Sequence, residues 1–207
     1  MDLLVFAEIM GTVAFAASGA AVGMEKKMDI FGVAVLGLTT ATGGGILRDL
    51  VLNITPPAAF KDPVFAVISV IVSLILFIPY VHKAVGEKSE IYDRILLIMD
   101  SVGLGLFTVI GIRVAKTASI EDNFFLVTFV GVLTGVGGGL LRDIFAGDRP
   151  YIFIKHFYAC AAIIGAWICA YLWDITGESA AMIIGASVIV ILRLLAAHYR
   201  WSLPKAG

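Results

Sequence analysis

Seven apolar stretches, each near the length that crosses a bilayer, divide this chain and leave little between them. A hydrocarbon core about 30 Å thick takes about 20 apolar residues of helix at 1.5 Å each. Stretches of that kind fall at about 3–23, 30–52, 63–81, 95–112, 124–146, 156–173 and 180–199. The connections read MEKKMD, NITPPAAFKD, HKAVGEKSEIYDR, RVAKTASIED, AGDRPYIFIK and DITGES. None is long enough for a soluble domain. The expected architecture is therefore one all-α integral membrane domain over residues 1–207.

Composition narrows the function classes. The chain is 60% hydrophobic and 15% charged with a net charge of −1, so a basic surface for nucleic acid is missing. Cys160 and Cys169 lie nine residues apart in one apolar stretch, which suits neither a disulfide framework nor a metal cluster. The N-terminus lacks the basic region and small-residue cleavage site of a signal peptide, so the first stretch is expected to stay as a membrane helix.

Lysine and arginine near short loops set orientation. Lys26, Lys27, Lys83, Lys88, Arg94, Arg149, Lys155, Arg200 and Lys205 fall on one side, against Lys61, Arg113 and Lys116 on the other. That asymmetry predicts a multi-pass protein of the cell (inner) membrane with its N-terminus outside and its C-terminus cytoplasmic. Arg48, Arg142 and Arg193 lie within spans or at their ends. Arg193 reads as a snorkelling anchor, and His82 and His156 as interface residues.

An internal repeat organises the spans. TATGGGILRDL at 40–50 is answered by TGVGGGLLRDI at 134–144, an offset of 94 at which Phe31, Val33, Gly37 and Pro56 also recur as Phe125, Val127, Gly131 and Pro150. At an offset of 92, Glu8, Gly11, Phe15 and Gly19 answer to Asp100, Gly103, Phe107 and Gly111. Repeat one runs over about 2–90, repeat two over about 94–174, and a seventh helix over about 180–199. Each repeat holds an odd number of spans, so the second copy enters from the opposite face. That is the inverted-repeat plan of transport proteins.

The glycine triplets Gly43, Gly44, Gly45 and Gly137, Gly138, Gly139 sit past the middle of spans two and five, where each glycine costs a helix about 1 kcal/mol relative to alanine. Two readings are open. Local unwinding would free carbonyls to replace an ion's hydration shell, whereas small residues also let helices pack closely. Thr40, Thr42 and Thr134 offer hydroxyl oxygens beside the triplets, or bond back to their own preceding turn.

Arg48, Asp49, Arg142 and Asp143 follow the triplets, and charges at such depth need partners or water. Glu8 lies at the depth of Arg48, and the repeat places Asp100 at that of Arg142. Two symmetry-related carboxylate and guanidinium clusters are expected, one near each mouth. GGGILRD lacks the Lys-Ser/Thr of a phosphate loop and follows no strand. No nucleophile with its base emerges from the spans, which disfavours an enzyme.

AFAASGA at 14–20, the loop MEKKMDIFG and the doubled GGGxLRD at 43–49 and 137–143 resemble the prokaryotic relatives of the trimeric intracellular cation (TRIC) channels. The group is also catalogued as a glycine-transporter domain. The resemblance covers essentially the whole chain. It implies a homotrimer in which each subunit carries its own potassium-permeable pore, bounded by spans one, two, four and five and kinked at both triplets. The Lys-Glu-Val lipid-contact motif of the animal members is missing, so phosphoinositide control does not carry over. The expected function is thus a monovalent cation channel in membrane lipid, potassium leading and sodium second, with no cofactor. A secondary transporter for a small zwitterion such as glycine is the alternative.

Overall fold

The computed structural model describes residues 3–78, 90–118, 123–154 and 157–201, and every regular element among them is a helix. The helices are α1 (Leu3–Glu25), α2 (Ile30–Val51), α3 (Ala58–Lys61), α4 (Val64–Phe77), α5 (Glu90–Ala118), α6 (Phe124–Phe145), α7 (Tyr151–Ile154), α8 (Tyr158–Thr176) and α9 (Glu178–His198). Six of them are long and apolar enough to cross a membrane, and α4 is a shorter apolar helix. The end of the third predicted span lies outside the described residues, as do Lys83, Lys88, Lys155, Lys205, His82 and His156.

One span differs from its expected bounds. Helix α5 begins at Glu90 and runs to Ala118, well past the apolar stretch at about 95–112. Charges on its last turns find partners where α8 gives way to α9, so the helix continues beyond the hydrocarbon. Arg113 donates through Nε to Glu178, and Lys116 Nζ lies 3.3 Å from Asp174 Oδ2.

The repeat is visible first in the local chemistry of helix ends. Helix α2 starts where the Asp29 carboxylate accepts the Gly32 N–H at 2.7 Å. Helix α6 starts where the Asn123 side chain accepts the Leu126 N–H at 3.0 Å, and these caps are 94 residues apart. Both helices stop in the same way. Asn53 (φ 55°) and Gly147 (φ 73°) take the left-handed conformation just past the last turn, the usual place for glycine or asparagine at a helix C-terminus. The N–H groups of Ile54 and Asp148 then return to the carbonyls of Asp49 and Asp143, at 2.8 and 2.9 Å. A one-turn helix follows each, α3 and α7.

Helices α1, α2 and α4 pack into one three-helix unit and α5, α6 and α8 into a second. The units join through α1 on α5 and α2 on α6. Helix α9 breaks the symmetry by packing chiefly on α5 and α8. Across the surface, Lys26 Nζ reaches Asp148 Oδ1 at 2.5 Å and ties the α1–α2 connection to the α6–α7 connection. That hydrogen bond holds the Lys26 ammonium above the usual lysine range. Its contribution is complete below the ordinary lysine value and is lost only as pH rises through the higher one.

Candidate functional site

The centre of the molecule is an antiparallel crossing of α2 and α6 at the two glycine triplets. The backbone stays α-helical through both, and of the two readings left open, close packing is the one the geometry shows. The helices approach until a Cβ on Gly44 would fall 2.1 Å from the Thr134 carbonyl oxygen, and one on Gly138 2.2 Å from that of Thr40. A Cβ on Gly137 would lie 3.1 Å from the Gly44 Cα. Backbone packed on backbone offsets the helix propensity that three glycines lose, as in small-residue interfaces elsewhere in membranes. Gly43 faces the Leu141 side chain and Gly139 the Tyr158 hydroxyl, whereas Gly45 is open. Phe15 and Phe107, matched by the repeat, meet beside the crossing with ring centroids 5.2 Å apart.

The threonine hydroxyls are turned back on their own helices. Thr40 donates to Leu36 O at 2.6 Å, Thr42 to Leu38 O at 2.8 Å and Thr134 to Val130 O at 2.7 Å. Thr40 and Thr134 are buried, while Thr42 lines a cavity.

Beyond the crossing, each GGGxLRD builds the same corner. Asp49 accepts Arg48 Nε at 2.7 Å on one oxygen and the Ala58 N–H at 2.7 Å on the other. Asp143 accepts Arg142 Nε at 2.9 Å and the Tyr151 N–H at 2.7 Å. The aspartate thus holds the neighbouring guanidinium and caps the one-turn helix that follows. Capping explains why Asp comes directly after Arg in both copies.

From here the two mouths differ. At the α6 end, Arg142 Nη1 lies 2.6 Å from Asp100 Oδ1 and 2.5 Å from Ser18 Oγ. Arg193 of α9 completes the network, with Nη2 3.5 Å from Asp100 Oδ2 and its guanidinium 4.6 Å above the Tyr158 ring. The Arg142 guanidinium stands 5.0 Å from the Tyr151 ring. Arg142 is 1% and Arg193 2% exposed, so Arg193 is an interior member of this network rather than a snorkelling anchor. Asp100 and Asp143 lie beside the two arginines, and all four charged side chains are buried. The network's extra members, Ser18, Tyr158 and Arg193, were not among the predicted site residues. A lone arginine more than a turn inside the end of α9 was the available signal.

At the α2 end the structure does not join Glu8 to Arg48. Arg48 keeps the contact with Asp49 that both copies share, and a cavity of about 260 Å³ is lined by Glu8 and Arg48 together. Glu8, Thr12, Thr42, Gly45, Arg48, Asp49 and Asp62 supply its polar lining, and Phe65, Phe107 and Ile110 part of its apolar wall. Three carboxylates face one guanidinium, so the mouth is acidic.

Comparisons with known proteins agree with this architecture. A family model described as "Glycine transporter" matches residues 5–80 and again 97–174. The UPF0126 inner membrane protein YadS of Escherichia coli K12 is 36% identical over 205 residues, 98% of this chain and 95% of its own. A structure solved for the basis of conductance through TRIC cation channels shares 37% identity and a TM-score of 0.85, covering 100% of this chain and 98% of its own. The trimeric intracellular cation channel orthologue of Rhodobacter sphaeroides shares 29% identity and a TM-score of 0.87, covering 97% and 100%. With both halves matched by the family model and full-length relatives above 30% identity, this chain belongs to the UPF0126 membrane proteins, the prokaryotic relatives of the trimeric intracellular cation channels.

Proposed function

We propose that the chain forms a homotrimeric channel for monovalent cations, potassium first and sodium second, with one path through each subunit. The observation that carries this reading is the acidic cavity at the α2 mouth, set on an inverted-repeat bundle whose opposite end holds a buried network of charges. A path between them runs past the crossing of α2 and α6, where Gly45 and Thr42 border the cavity. The arrangement corresponds to a closed state, and conduction requires the Asp100–Arg142–Arg193 network to part. The likeness to cation channels over the full chain supports the same reading. We place the protein in the inner membrane with the α2 mouth outside and the C-terminus cytoplasmic, on the distribution of lysine and arginine.

A second reading has one observation in its favour: Glu8 and Arg48 line one cavity, as a zwitterion's ammonium and carboxylate would require, and the matching family model is described as a glycine transporter. Reconstitution separates the two. Purified protein in planar bilayers should give unitary potassium currents, with a trimer mass in mild detergent and a C-terminal reporter active only in the cytoplasm. Absent currents together with saturable uptake of radiolabelled glycine into vesicles would favour the carrier.

A further inference from the structure

The two mouths come from one repeated motif, and one replacement between them lies beside the arginine. Ser18, which holds Arg142 Nη1 at 2.5 Å, is matched at the offset of 92 by Ile110. Isoleucine carries no hydroxyl and instead lines the cavity. Arg48 keeps its contact with Asp49 at 2.7 Å, and both Asp49 oxygens are occupied by Arg48 Nε and the Ala58 N–H. Asp62 accepts the Val64 N–H at 3.0 Å. Glu8 alone of the three cavity carboxylates enters no hydrogen bond or ion pair among the described residues.

We infer that Glu8 is the charge-selecting residue of the path, a partnerless carboxylate that meets each entering monovalent cation inside the outer cavity. The inference rests on the channel reading and deepens it. Phe65, Phe107 and Ile110 give the cavity low-dielectric walls, which focus the field of a single charge and raise the local cation concentration. Thr12 and Thr42 add neutral hydroxyl oxygens. The ion is monovalent on the channel reading itself: Glu8 acts as a field charge beside a guanidinium, and no group of three or more His, Cys, Asp or Glu side chains that could hold a metal occurs among the described residues.

The test is the salt dependence of single-channel conductance, because a field effect fades with screening and a packing defect does not. The Debye length falls from about 30 Å in 0.01 M salt to about 3 Å in 1 M. Glu8→Gln should lower potassium conductance about tenfold in dilute KCl and leave it near wild type in concentrated KCl. Its reversal potential in a KCl gradient should move toward that of chloride, and Glu8→Asp should retain wild-type behaviour. Unchanged conductance in dilute salt, or a fall of equal proportion at every concentration, would overturn the assignment. Should Glu8→Gln fail to assemble, Glu8→Cys in a Cys160→Ala background can be modified within the bilayer. A sulfonate-bearing thiol reagent should then raise the current in dilute salt and an ammonium-bearing one lower it, and identical responses to both would again overturn the assignment. Wild-type trimers that pass no current sink the channel reading itself, and this inference with it.

Discussion

Gly44→Ala and Gly138→Ala are each expected to cost about 3 kcal/mol of stability, at the upper end of what one added methyl does in a packed interior. In both cases the new Cβ would lie little more than 2 Å from a carbonyl oxygen of the partner helix, at 2.1 and 2.2 Å, and backbone cannot swing aside as a side chain can. Gly45→Ala, in the same triplet, should behave in the opposite way. Its nearest neighbour would be Arg48 Nη2 at 3.8 Å, so alanine there keeps its helix-propensity gain of about 1 kcal/mol. Thermal unfolding of the three variants in one detergent reads both signs at once. A melting temperature for Gly44→Ala equal to wild type would mean that the two backbones do not touch.

Asp100→Asn is the second change with a large effect. It withdraws the carboxylate that Arg142 and Arg193 both touch, and both arginines are almost wholly buried. Breaking a buried ion pair from one side costs about 3–5 kcal/mol. Removing one arginine as well restores the balance, so Asp100→Asn with Arg193→Met should be more stable than Asp100→Asn alone by about 1–3 kcal/mol. Simple addition of the two single losses would show that Arg193 is not coupled to Asp100. If the network closes the path, the surviving Asp100→Asn channels should also spend more time open.

How much of this could be read in advance depended on the range of the interaction. The spans and the inverted repeat follow from runs of apolar residues and from self-similarity, which are properties of the chain alone. The meeting of Asp100 and Arg142 follows from equal depth on neighbouring helices. The same argument applied to Glu8 and Arg48 failed although Asp49 and Asp143 hold their arginines alike, because equal depth does not fix whether two side chains turn toward each other. The triplets were weighed by what glycine costs a helix. The deciding quantity was the distance to the opposing backbone, which no local property encodes. Arg193 needed the packing of α9 on α5, a contact that the repeat cannot announce because α9 has no counterpart.

The pairs Phe15 with Phe107 and Gly44 with Gly138 share one property: each residue sits against, or next to, its own image. A residue on such an axis is its own neighbour. Positions away from the axis serve one role each in a joined chain, so Ser18 can differ from Ile110 and Glu8 from Asp100. Positions on the axis are bound together, since a change in one copy is felt at once by the other. Across a set of relatives, substitutions at 15 and 107, or at 44 and 138, should arise together, while the mouths vary independently.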